Sequence, residues 1–179
     1  MRLSTQRIKE LVAFAILAAI MISTQYALQT FMGIQLNGLF VAAITITYRF
    51  RALLSIYTYI MLYCIFFPTL WSVPYLYIWL PLWGSFMLAA TLAERINLPN
   101  KARIPIYMLL CGLYGLSFGL LYAPFQAFIT GWSFDMMKAW YLSGLILADI
   151  PHAINNLALG ALILPLSRLL KKLNNQPSL

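Results

Sequence analysis

Acid is scarce in this chain. Glu10, Glu94, Asp135 and Asp149 are the only acidic residues among 179, against twelve Lys and Arg, giving a formal net charge of +8. Metal ligands and nucleophiles are scarcer still: one histidine, His152, and two cysteines, Cys64 and Cys111. A single imidazole cannot build a His-rich metal site, and the cysteines stand in apolar runs without ligand spacing. No Ser or Cys lies in a nucleophile motif beside the histidine. Asp149 and His152 lack a second embedded carboxylate to pass a proton on, since Glu94 stands at the end of its segment. The expectation is therefore a non-enzyme, with no catalytic residue, no metal and no cofactor.

Charge as a whole is also lacking. Only 9% of residues are charged, 63% are hydrophobic, and the mean hydropathy is +0.83. That is a chain for lipid, and its length suits one domain, residues 1–179. The basic excess points to orientation rather than to nucleic acid, because no basic face interleaved with aromatics exists. The N-terminal apolar run lacks a small-x-small cleavage site, so no removable signal is expected.

Six apolar segments can be marked: Ile8 to Phe31, Gly38 to Tyr48, Ala52 to Phe67, Pro74 to Ala93, Ile104 to Ile129, and Met136 to about Leu170. The second and third fall short of the ~20 residues of a full span. Arg2, Arg7 and Lys9 precede the first segment, and Arg49 and Arg51 separate the second from the third. Arg95, Lys101 and Arg103 separate the fourth from the fifth, and Arg168, Lys171 and Lys172 follow the sixth. Only Lys138 falls on the other side. By the positive-inside rule, the expected fold is an all-α integral membrane protein of six transmembrane helices with both termini cytoplasmic.

The outward loops, "QTFMGIQLN", "FPTLWSVPYLYIW" and "TGWSFDMMK", are almost uncharged and rich in Trp, Tyr, Gln and Asn. An interfacial aromatic belt is the plain reading. A belt flanks both faces, however, and all five tryptophans (Trp71, Trp79, Trp83, Trp132, Trp140) lie in or near the outer half. That asymmetry favours an outward-facing binding surface.

The sixth segment contains "LADIPHAINN". At ~100° per residue, Asp149, His152 and Asn156 share one helical stripe, with Asn155 beside it. Asp149 falls about 13 Å inward of Trp140, near the bilayer midplane. A charge there costs ~2.5–3.5 kcal/mol, so it must face protein or a water-filled cavity. Pro151 frees the carbonyl of Leu147 and is expected to kink the helix. Two readings stand: an Asp–His pair that clamps neighbouring helices with Asn156 bonded across an interface, or the floor of a cavity opening outward. The first segment carries a small-residue surface, Ala15 and Ala19 with Ala18 beside them, on which another helix can approach closely.

Together these features resemble the substrate-binding S component of an energy-coupling factor (ECF) vitamin transporter. Ala15 and Ala19 match that family's Ala-x-x-x-Ala surface in the first helix. Residues 119–173, "GLLYAPFQAFITGWSFDMMKAWYLSGLILADIPHAINNLALGALILPLSRLLKKL", look like its C-terminal region: a Gly, then Asp149, His152 and Asn156, then Pro165-Leu166 before a basic tail. The resemblance implies a bacterial cytoplasmic-membrane protein that binds a micronutrient outside and topples to release it inward. Its implied partners are a transmembrane T component and two ATPase subunits, docked on Ala15, Ala18 and Ala19. Expected ligand contacts are Asp149, His152, Asn156, Asn155 and Gln126, capped by Trp71, Tyr75 and Trp132.

No Lys or Arg is embedded at that depth, which disfavours an anionic cargo. A neutral or cationic ring compound, such as a vitamin B6 form or hydroxymethylpyrimidine, suits the residues better. Pantothenate, a queuosine precursor and cobalamin are alternatives. The rival class is a non-transporting membrane scaffold of the rod-shape-determining subunit type, which binds no small ligand.

Overall fold

The computed structural model describes residues 5–28, 30–31, 34–67 and 73–174. Among the described residues the chain forms helices joined by turns, with no strand. They are α1 (Thr5–Leu28), α2 (Asn37–Tyr48), α3 (Ala52–Phe66), α4 (Tyr75–Arg95), α5 (Asn100–Thr130), α6 (Phe134–Gly144), α7 (Ile150–Gly160) and α8 (Ile163–Asn174). Local chemistry marks several boundaries. Pro99 holds extended backbone before α5, and Gly131 ends α5 in the left-handed conformation at φ 67°. Ser133 then caps α6, its Oγ accepting from the Met136 N–H at 3.3 Å.

By length and composition four stretches can cross a membrane: Arg7–Leu28, Asn37–Phe66, Tyr75–Arg95 and Asn100–Thr130. A fifth is added if Phe134–Gly160 and Ile163–Asn174, bent by 54°, are one span. The outward pattern agrees with lipid: Ile106, Leu109, Leu113, Leu116 and Leu120 run exposed down one face of α5. In water such a ridge would invite association.

The stretch Asn37–Phe66 is not a straight rod. Asn37 Nδ2 donates to the Tyr59 hydroxyl at 2.9 Å, although 22 residues separate them. Along a continuous helix they would stand about 33 Å apart, so α3 folds back on α2. The reversal is a single 3₁₀ turn, Arg49–Arg51, in which Arg49 takes φ 55°. Two ion pairs hold it: Arg49 with Glu94 at the end of α4, and Arg51 with Glu10 in α1 at 2.7 Å. Arg49 also donates to Thr91 Oγ1 at 3.2 Å. Two of the four acids thus brace the turn. At 12 residues α2 is only about 18 Å long, but it runs through the middle of the bundle with Val41, Ala42, Ala43, Ile44 and Thr45 fully buried. A helix apolar all round belongs in such a position.

The sixth segment departs from the expected single helix. A π-helical turn, Leu145–Asp149, separates α6 from α7, and the Ile150 N–H bonds to Leu145 O five residues back. Pro151, in the first turn of α7, cannot donate, and the wider turn absorbs that loss in place of a simple kink. The chain then bends at Ala161–Leu162 into α8, whose Ile163, Leu164, Ser167 and Leu170 are buried.

The tightest packing joins α5 and α7, antiparallel, through glycines. A Cβ at Gly115 would lie 2.9 Å from Ala153 N and Cα, and one at Gly160 would lie 2.5 Å from Met108 Cα. Side chains cannot yield there because the obstacle is backbone. Gly115→Ala and Gly160→Ala are expected to lower unfolding free energy by about 1–3 kcal/mol, read as earlier thermal unfolding in detergent. Gly84→Ala and Gly144→Ala, with nothing within 4 Å of the added carbon, should leave it unchanged or slightly raised.

Candidate functional site

The glycine face of α5 decides what the polar stripe does. Asp149 is buried, and its Oδ2 accepts the Gly119 N–H at 3.1 Å. A Cβ at Gly119 would collide with that oxygen, so only glycine admits the carboxylate to the helix backbone. Asn156, 6% exposed, is wedged between α5 and α2: its Nδ2 stands 2.8 Å from where a Gly115 Cβ would be, and its Oδ1 2.9 Å from a Gly38 Cβ. Both side chains face packed helices, and the partner found for Asp149 is Gly119 rather than His152.

The other expected residues fall in two groups. Asn155 Nδ2 donates to Gln35 O at 3.1 Å, tying α7 to the loop before α2. Gln126 is buried near the outer end of α5. His152, half-buried, meets the Phe118 ring edge-on at 6.3 Å. Tyr75 opens α4 at the centre of an aromatic cluster, with ring centroids 5.0 Å from Tyr63, 5.9 Å from Phe118 and 6.5 Å from Tyr122. Trp132 joins the same cluster through Trp140, 6.0 Å away, which stacks on Tyr122 at 6.0 Å. Trp71 lies outside the described residues. So Tyr75, His152 and Trp132 come together around Phe118 and Tyr122, while Asp149 is bonded to α5 and Asn156 stands between α5 and α2 with its Oδ1 unbonded.

Five further residues adjoin these, and of them only Trp79 was singled out by composition. Asn37 Nδ2 bridges Gln25 Oε1 at 2.7 Å and Tyr59 Oη at 2.9 Å, in the buried first turn of α2. Tyr59 meets Trp79 edge-on at 6.2 Å, and Trp79 lies 5.8 Å from Tyr114. Asn37 stands in the outward loop "QTFMGIQLN" and Tyr59 in the tyrosine-rich third segment. Those were the only signals available before the helices were assembled.

Four buried polar atoms in this neighbourhood have no hydrogen-bond partner: Asn37 Oδ1, Trp79 Nε1, Tyr114 Oη and Asn156 Oδ1. They are linked in space. Asn37 bonds Tyr59, Tyr59 touches Trp79, Trp79 touches Tyr114, and Asn156 lies against Gly38, the neighbour of Asn37. Each such atom costs roughly 1–3 kcal/mol when left unsatisfied. The cluster offers two acceptors, an indole donor and a phenol among aromatic rings. No lysine or arginine joins it; Lys138, the basic residue of the outer end, is exposed.

The lateral groove between α4 and α5, of about 460 Å³, reaches this cluster from the lipid side through Tyr114. Its serines are already engaged, Ser85 Oγ with Pro81 O at 2.7 Å and Ser117 Oγ with Tyr114 O at 2.9 Å.

The docking alanines divide. Ala15 and Ala19 are exposed on α1, among exposed Leu11, Val12, Ile16 and Ile20. Ala18, expected on the same surface, is fully buried in the core and is removed from it. At four-residue spacing 15 and 19 share a face, whereas 18 is turned some 60° or more away from it.

Neither a family model, nor a curated protein, nor a solved structure matches this chain.

The Asp149 bond has a direct test. Asp149→Asn keeps an acceptor for the Gly119 N–H and should unfold near the wild-type temperature in detergent. Asp149→Ala removes the acceptor and leaves a void, and should cost about 1–3 kcal/mol. Equal stability of the two variants would show that the bond does not hold α5 to α7.

Proposed function

We propose that this chain is the substrate-binding S component of an ECF-type importer in the bacterial cytoplasmic membrane. It captures a neutral or cationic ring compound, a vitamin B6 form or hydroxymethylpyrimidine being the best fit, and passes it to a T component with two ATPases. The observation that carries the reading is the set of four partnerless buried polar atoms on Asn37, Trp79, Tyr114 and Asn156. Natural interiors keep few such atoms, and an outer-half aromatic cluster is where a captured ring would satisfy them.

Topology supports the same reading. Hydrogen bonds and ion pairs place the starts of α1, α3 and α5 with the ends of α2 and α4, at the basic end. That arrangement supports a reading of six membrane crossings with both termini inside. The short α2 can do so because protein, not lipid, surrounds it. Ala15 and Ala19, accessible on α1, are then the docking surface for the T component, and the ATPases alone hydrolyse ATP.

Binding is tested on the purified full chain. Mass spectrometry should find a co-purified small molecule, and pyridoxine or hydroxymethylpyrimidine should quench tryptophan fluorescence saturably. Asn37→Ala and Asn156→Ala remove polar partners and should weaken that binding roughly tenfold or more. A chain with no co-purified molecule and no saturable quenching by these or by pantothenate is a scaffold instead.

Docking and orientation are tested in cells. Reporters fused to either end should both report from the cytoplasm. Ala15→Trp or Ala19→Trp should abolish uptake while leaving ligand binding by the isolated chain intact. Loss of binding along with uptake would place the alanines in internal packing.

A further inference from the structure

The helix α8 has three faces, and only one of them is used by the bundle. Ile163, Leu164, Ser167 and Leu170 are buried. Leu169 and Leu173, with Leu162 a little ahead of the helix, are 53%, 56% and 50% exposed. At ~100° per residue these leucines form a second stripe about 120° from the buried one. Arg168, Lys171 and Lys172 are exposed; Arg168 and Lys172 occupy the remaining third, and Lys171 stands at its edge toward the buried stripe near the helix end.

Among the described residues the basic third has no counter-charge. Glu10 and Glu94, the acids of the inner end, are engaged by Arg51 and Arg49. Asp149 is buried against Gly119, and Asp135 begins α6 at the opposite end. Among the described residues no ion pair or hydrogen bond reaches the side chain of Arg168, Lys171 or Lys172. The 54° bend also carries α8 away from the direction of the preceding helix. A helix inclined in this way, apolar toward the bundle, apolar again on a second side and cationic on the third, fits the boundary between hydrocarbon and headgroups. Lysine and arginine stems reach from there to phosphate.

We propose that α8 is an interfacial helix that binds anionic phospholipid of the inner leaflet. Leu162, Leu169 and Leu173 enter the acyl region, and Arg168, Lys171 and Lys172 hold the headgroup phosphates. The lipid supplies the negative charge that the chain itself withholds from this face. This is independent of any cargo bound in the outer half.

The test uses the purified full chain in mixed micelles holding equal amounts of phosphatidylglycerol and phosphatidylcholine. Lipid retained after gel filtration is quantified by mass spectrometry. The wild-type chain should retain phosphatidylglycerol over phosphatidylcholine by about fivefold or more. The variant R168Q/K171Q/K172Q should bring the ratio close to one, with thermal unfolding unchanged because these side chains support no packing. The variant L169S/L173S should reduce retention of both lipids. R95Q/K101Q, which removes an equal kind of charge elsewhere at the basic end, should keep most of the preference. The proposal is overturned if the triple variant keeps the wild-type ratio or if R95Q/K101Q removes as much of it. A wild-type chain without phosphatidylglycerol preference also overturns it and leaves the face to a protein partner.

Discussion

The approach of α5 to α7 is the constraint on which the rest of the bundle depends. Asp149 is a carboxylate deep in an apolar chain, and it is tolerable there only with a hydrogen-bond donor within reach. The donor is a backbone amide in the middle of another helix, available only because Gly119 has no Cβ to block the way. Gly115 and Gly160 bring the same two backbones together further along, and Gly115 with Gly38 leaves room for Asn156. Small residues and buried polar groups therefore act jointly: glycine sets the distance, and the polar side chain fills the space that glycine leaves.

At the opposite end the constraint is electrostatic. The turn between α2 and α3 uses a non-glycine residue, Arg49, at φ 55°, and carries a second arginine, Arg51. Glu94 and Glu10 meet them from α4 and α1. Exposed pairs of this kind add little stability singly, about 0–1 kcal/mol. Here they neutralise a reversal that lets α2 run inside the bundle, shielded from lipid, at a length too short for an exposed span. Using both inner-end acids on this turn leaves the cations of α8 uncompensated.

The end away from the basic residues is organised by ring contacts instead of charge. Tyr75, Trp79, Phe118 and Tyr122 tie α4 to α5, and Trp140 extends the cluster to α6, a helix with no buried residue of its own. A glycine-packed core thus adjoins an aromatic region, and unsatisfied polar atoms lie in both.

Much was legible without any contact. Hydropathy marked the helices near their observed ends, since burial in lipid demands continuous apolar runs. The stripe Asp149, His152 and Asn156 was visible as polar groups in costly places. Its partners were not, because a glycine that receives a carboxylate looks the same in sequence as one that merely packs. Periodicity likewise put Ala18 beside Ala15 and Ala19, but which side of α1 meets the core depends on where α3 lies. The break of the last segment at Leu145–Asp149, the return of α3 onto α2, and the meeting of Asn37 with Tyr59 and Trp79 all join residues far apart along the chain. The sequence by itself determined that this is a helical chain for lipid, with a basic end and a polar stripe. Only the tertiary structure decided which polar atoms are satisfied, because hydrogen-bond partners across helices are set by packing distance and not by local pattern.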